Sequence, residues 1–132
     1  AEELGVELRI EPEPGLVIER SDQYLKYMER IDSPAVGLNL DIGHIFCVGE
    51  DPADAIRRLG DHIRYIQIED IAATRVHQHL VPGEGAIDFD SVFEALRDVN
   101  YQGWVTVELY PLLDDPHAAA QRAYDYLKPY FD

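Results

Sequence analysis

Apolar and polar residues alternate in four short stretches of the chain: Val6 to Glu11, Val36 to Asp41, Arg64 to Asp70, and Gly103 to Glu108. A period of two predicts β-strands, because successive side chains point to opposite faces. Aligned on that period, Leu8 and Ile10, Val36, Leu38 and Leu40, Ile66 and Ile68, and Val105 and Val107 make one apolar face. The other face carries Arg9 and Glu11, Asn39 and Asp41, Tyr65, Gln67 and Glu69, and Thr106 and Glu108. After each strand the spacing changes to that of an amphipathic helix. Ser21 is placed to cap a helix with face Leu25, Met28 and Ile31, and Asp51-Pro52 opens one that carries Ile56 and Leu59 before Gly60. The capping-box pattern Ser91-Val92-Phe93-Glu94 opens a third, with face Val92, Leu96 and Val99. Asp115-Pro116 opens the last, which carries Ala120, Tyr124 and Leu127. A loop follows Asp41, and a longer one runs from Ile71 to Ile87.

Four consecutive strand-helix units imply an α/β fold with parallel strands, since hairpins need connections of only about two to five residues. The apolar face should lie under the helices, and both faces of a parallel sheet should be buried. On the polar face each strand ends in a carboxylate or amide, and parallel βα architectures place their chemistry at those carboxyl ends. A closed (β/α)₈ barrel needs about 250 residues, and roughly 200 at the least. Residues 1–132 therefore read as a single domain, half of such a barrel. The other half is expected either from a longer protein of which this is the C-terminal portion, or from a second copy.

Composition narrows the surroundings. The chain is 46% hydrophobic, and no apolar run approaches the ~20 residues of a membrane span. The opening Ala1-Glu2-Glu3-Leu4-Gly5 lacks the basic and apolar regions of a signal peptide and reads as a helix end stopped by Gly5. With 26 acidic against 11 basic residues the net charge is −15, which argues against nucleic acid as a partner. Cys47 is the single cysteine, so no internal disulfide forms, and the cytoplasm is the expected compartment.

Glu11, Asp41, Gln67 and Glu108 should converge at one mouth. Three carboxylates there repel one another unless a cation neutralises them. Oxygen donors suit Mg²⁺ or Mn²⁺, and with histidine nearby Zn²⁺ or Co²⁺.

The segments Ile10-Glu11-Pro12, Gly37 to His44, Ile66-Gln67-Ile68-Glu69-Asp70, Pro82 to Phe89, and Val107-Glu108, in that order, resemble the sugar phosphate isomerases/epimerases. These are xylose isomerase-like barrels that include hydroxypyruvate isomerases and ketose 3-epimerases. The resemblance spans the chain and implies that its units stand for strands five to eight. It implies a divalent metal held by Glu11, Asp41, Gln67 and Glu108. Many relatives carry histidine in place of Gln67, and the hydroxypyruvate isomerase branch resembles this chain in using glutamine. It further implies proton transfer beside a carbonyl through an enediolate, with Glu11 and Glu108 as acid and base. The substrate would be a small sugar, sugar phosphate or keto-acid, contacted by His44, Arg75 and His79. His77 and His79 alone are too few for a second metal site, so they are expected at the substrate or behind the ligands, and Glu84 is a further candidate for the mouth. Two alternatives remain. One is a catalytically silent half-barrel serving assembly, and the other is the endonuclease IV-like repair branch, which expects more histidine ligands and a basic surface.

Overall fold

The structure is a computed structural model that describes residues 1–110, 112 and 114–131. Four strands, β1 (Leu8–Ile10), β2 (Val36–Asp41), β3 (Ile63–Ile68) and β4 (Val105–Val107), form one sheet in the order β1-β2-β3-β4. All three pairings are parallel. Five α-helices accompany them: α1 (Ser21–Met28), α2 (Ile42–Cys47), α3 (Pro52–Leu59), α4 (Phe89–Asp98) and α5 (Pro116–Leu127). At the start, a 3₁₀ turn over Glu2–Leu4 stops at Gly5, whose φ of 61° is the left-handed conformation that glycine adopts without strain.

The core lies where the alternation predicts. Leu38, Leu40, Ile66 and Ile68 are fully buried on the outer face of the sheet, in one cluster with Ile56 and Leu59 of α3 and Val92 and Leu96 of α4. The opposite face is not covered: Asn39, Tyr65, Gln67 and Thr106 are only half-buried, and Arg9 and Glu11 are exposed. The expectation that both faces are buried fails there, because one sheet of four strands curls around nothing. The outer strands also expose apolar residues of the covered face, Leu8 at 54% and Val107 at 37%. Each lies on an edge strand of the sheet, with no further strand beside it among the described residues.

The pairing of β2 with β3 contains a bulge. Leu38 pairs with Ile63 and Asn39 with Tyr65, which leaves Arg64 without a partner. The Arg64 stem lies over Gly37, where a Cβ would collide with it. Beyond the bulge, Asp41 stands opposite Gln67, and Gln67 opposite Thr106. That register sets the polar residues of three strands side by side.

Several local expectations are corrected. Ser21 is the first residue of α1 rather than its cap, because Gln23 Oε1 reaches back to accept from the backbone N–H of Glu19 and Arg20 (2.9 and 3.0 Å). Asp88, not Ser91, caps α4, accepting from Ser91 N at 3.2 Å. Asp115 caps α5 as expected, accepting from Ala118 N at 3.0 Å. The buried stripe of α5 is Ala119, Ala123 and Leu127, which turns Ala120 and Tyr124 towards a groove along β4 with Val105, Val107 and Leu109. The loop expected after Asp41 contains helix α2.

Candidate metal centre at the carboxyl ends of the strands

Asp41 ends β2 and starts α2. Its Oδ1 accepts from the backbone N–H of Gly43 and His44, at 2.9 and 3.0 Å, so one oxygen caps the helix and fixes the carboxylate. Its Oδ2 is buried as well. One oxygen each of Glu11, Asp41 and Glu108 lie within 4.8 Å of one another. Burial, then the negative charge of Asp41, raises the pKa of Glu11, while His44 and the Asn39 amide pull it down.

A chain of amides joins the strands beneath these carboxylates. Asn39 Nδ2 donates to Glu11 Oε2 at 2.9 Å and also to Gln67 Oε1, and Gln67 Nε2 donates to Glu108 Oε2 at 2.9 Å. Gln67 thus lies within the expected cluster, with its oxygen held by Asn39. Asn39 was visible in the sequence only as a polar residue in phase.

Glu69, two residues after Gln67, is fully buried, and its carboxyl lies beside that of Asp41. It shares a group with Asp41 and His44 whose donor atoms lie within 4.8 Å of one another. Burial, then the charge of Asp41 and a side-chain hydrogen bond with it, pushes its pKa up to about 11, so it holds a proton at neutral pH in the metal-free chain and donates it to Asp41. Gly43 makes room for it, because a Cβ there would overlap Glu69 Oε1. Neither Asn39 nor Glu69 was expected in the site, although the phase of both residues pointed inward.

The long loop is ordered by Asp70. Its carboxylate accepts from the backbone N–H of Ile71, Gly83, Gly85 and Ile87, at 2.9, 2.9, 2.8 and 3.1 Å. Its backbone makes a two-way bridge with Leu80. This holds His77 and His79 over the mouth, beside His44. His44 and His79 are buried (3% and 7% exposed). Glu13, in the turn after β1, reaches both His44 (3.2 Å) and His77 (3.5 Å). Nothing in the sequence distinguished Glu13 from the other acidic residues around Pro12 and Pro14. Burial and the neighbouring His44 lower the pKa of His77.

Two candidates lie elsewhere. Arg75 has a positive φ of 60°, and its Nη1 donates to Phe46 O at 2.6 Å while the guanidinium sits over the Phe46 ring. It serves the last turn of α2, where the helix dipole attracts a cation. Glu84 pairs with Arg122 on the surface at 3.1 Å.

The donors present suit a divalent ion. Converging carboxylates repel one another unless a cation lies among them, and the Glu11, Asp41 and Glu108 oxygens form a hard, anionic donor set.

A parallel four-stranded sheet with helices on its outer face and carboxylates at the strand ends is half of a (β/α)₈ barrel. The chain belongs to the xylose isomerase-like TIM barrel family, whose model matches residues 1–130. It is 29% identical to an inosose dehydratase of Clostridium beijerinckii, aligning 97% of this chain with 49% of that protein. A solved D-tagatose 3-epimerase-like protein superposes with a TM-score of 0.86 at 26% identity, over 99% of this chain and 49% of its own. The IOLI protein, solved with a bound zinc atom, superposes with a TM-score of 0.82 at 26% identity, over 100% and 52%. The chain thus spans about half the length of the relatives it matches. No helix among the described residues is long and apolar enough to cross a membrane.

Proposed function

We propose that this chain is the C-terminal half of a divalent-metal-dependent isomerase or epimerase. The substrate would be a small sugar, sugar phosphate or keto-acid, and the reaction a proton transfer beside its carbonyl through an enediolate. The observation that carries this reading is the convergence of one carboxylate oxygen each from Glu11, Asp41 and Glu108, within 4.8 Å of one another at the carboxyl ends of the strands. Glu11, Asp41 and Glu108 would hold the ion, with Gln67 as a neutral fourth donor. Mn²⁺, Mg²⁺, Co²⁺ and Zn²⁺ all fit such donors, and a zinc atom is bound in the related IOLI protein. Bound there, the ion would polarise the substrate's carbonyl and so acidify the neighbouring carbon.

The protein's own groups supply the rest. Glu11 has a raised proton affinity, which brings it nearer to neutral pH as an acid or base. Glu108 is oriented by Gln67 Nε2 and takes the complementary role. His44 and His79, both buried at the mouth, stand on the side where substrate would enter.

Proton abstraction beside a carbonyl begins an epimerisation, and it equally begins an elimination of water. The inosose dehydratase relative makes the elimination a second reading. The test incubates the full-length protein and Mn²⁺ in deuterated water with ketoses, hydroxypyruvate and an inosose. Deuterium entering a recovered ketose or keto-acid supports the isomerase or epimerase, and loss of water from the inosose supports the dehydratase. Neither change with any substrate overturns both readings.

The exposed Leu8 and Val107 on the two free edges support a second half-barrel as partner, covalently joined or as a second copy.

A further inference from the structure

The inner face of the sheet changes character along the strands. Its carboxylates, Glu11, Asp41 and Glu108, stand at the strand ends. At the strand starts it is cationic and aromatic. Arg9 precedes Glu11 by two residues, which puts it about 7 Å lower on the same face. Its guanidinium carbon lies 5.0 Å from the centre of the Tyr65 ring, two strands away. Gly37 of β2, in register with Arg9, stands between them, and its lack of a side chain opens the gap. Gly37 shares the phase of Asn39 and Asp41, so the Arg64 stem that crosses it also lies on the inner face. Trp104, in phase with Thr106 and Glu108, is 77% exposed.

Two guanidiniums thus share this floor with one carboxylate. Glu7 Oε1 accepts from Arg9 Nε at 2.9 Å. Among the described residues Arg64 Nη1 reaches only backbone carbonyls, Asp61 O at 2.9 Å and Ile63 O at 3.4 Å. Both arginines are exposed in the half-barrel, where water serves their remaining N–H groups. A barrel closed over this face would take that water away, and a buried charge left without a partner is costly.

A second copy does not meet the need. Related by the barrel axis, it would bring its own Arg9 and Arg64 to the floor and its own Glu11, Asp41 and Glu108 to the mouth. Like charges would then face each other at both levels, and each copy carries a net charge of −15 besides.

We propose that this face is completed by a half-barrel of different sequence, whose inner wall carries a carboxylate at its strand starts, opposite Arg9 and Arg64. Arginine, tyrosine and tryptophan are the residues that most often anchor a contact, and Arg9, Tyr65 and Trp104 supply them at the floor. The apolar edges at Leu8 and Val107 continue the same surface. Such a partner, joined to this chain or separate, rests on the half-barrel of the proposed function and on none of its metal chemistry.

The experiment follows urea unfolding of the full-length protein in a double-mutant cycle between Arg9 and Glu7. Arg9→Met should lower the midpoint, and should still lower it in a Glu7→Gln background, because the partner's carboxylate remains. Arg64→Met should act likewise from the third strand, and Arg9→Lys should recover part of the loss. An unchanged midpoint in Arg9→Met, or a fall that disappears once Glu7 is replaced, would overturn the proposal. So would a folded assembly made of two 15.0 kDa copies of this chain alone, read by sedimentation and intact mass. Mn²⁺ titration of the same samples separates the two readings. Ion binding with no Arg9 effect overturns the partner alone, and an Arg9 effect without ion binding overturns the metal centre alone.

Discussion

Gln67 Nε2 donates to Glu108 Oε2 at 2.9 Å, and this bond joins the third strand's amide to the fourth strand's carboxylate. With Asn39 holding the amide's other end, the ends of all four strands share one hydrogen-bonded chain from Glu11 to Glu108. Gln67→Ala should therefore free Glu108 as well as remove a donor. Loss of such supporting contacts commonly costs about 10- to 100-fold in metal affinity. Calorimetric titration with Mn²⁺ measures this, and an unchanged affinity would deny Gln67 any part in the centre.

Asp41→Asn and Glu108→Gln each remove one negative charge from the cluster while preserving shape. Mn²⁺ affinity should fall at least about tenfold in each, which corresponds to about 1.4 kcal/mol. Asp41→Asn keeps an oxygen that can still cap α2, so its far-ultraviolet circular dichroism should match the parent. Undiminished affinity in both variants would remove the basis of the carboxylate centre.

Glu69 links stability to pH in the metal-free chain. Its folded pKa of about 11 lies above the ordinary carboxylate value, so the folded state binds the proton that the unfolded state gives up. Its contribution is fully present below the unfolded pKa and is lost as pH rises towards the folded one. Urea midpoints should fall steadily from about pH 5 to pH 10, and Glu69→Gln should flatten the decline. A midpoint in the parent that stays level across this range would contradict the assignment.

Asp70→Ala should loosen the whole loop from Ile71 to Ile87. Four backbone donors lose their acceptor, and each buried one left unpaired costs about 1–3 kcal/mol. A loss of at least about 3 kcal/mol in urea unfolding is expected, with faster proteolysis near His77 and His79. Proteolysis confined to other segments would show that Asp70 does not order the loop.

The apolar edges lead to a prediction about assembly. Val107→Lys and Leu8→Lys place charges on the two free strands, where a second half-barrel would pack. If the chain completes itself with a second copy, size-exclusion chromatography should show a dimer that both substitutions dissociate. A parent that elutes as a monomer would leave the joined half-barrel as the partner.

Much of the fold was legible because the strand period leaves few choices. Leu38, Leu40, Ile66 and Ile68 alternate with Asn39, Asp41, Tyr65 and Gln67, and only one side of that alternation can be buried under helices. The same phase brought Glu11, Asp41, Gln67 and Glu108 to one mouth. It does not extend to Arg75, because neither strand phase nor helix face fixes where a loop side chain turns; its guanidinium donates to Phe46 O at the end of α2. It also missed α2, whose six residues are too few to show a helical period.

The sequence by itself determined the parallel units, the buried face and the phase that turns Glu11, Asp41, Gln67 and Glu108 to one side, since these follow from periodicities set by backbone geometry. Only the tertiary structure decided which groups meet: the buried carboxyls of Asp41 and Glu69, and the Nε2 atoms of His77 and His79 at 3.0 Å. Those facts depend on contacts between residues far apart in the chain. Asp70 closing a loop onto His79, and Gly43 yielding space to Glu69, are made by packing, which no local pattern encodes.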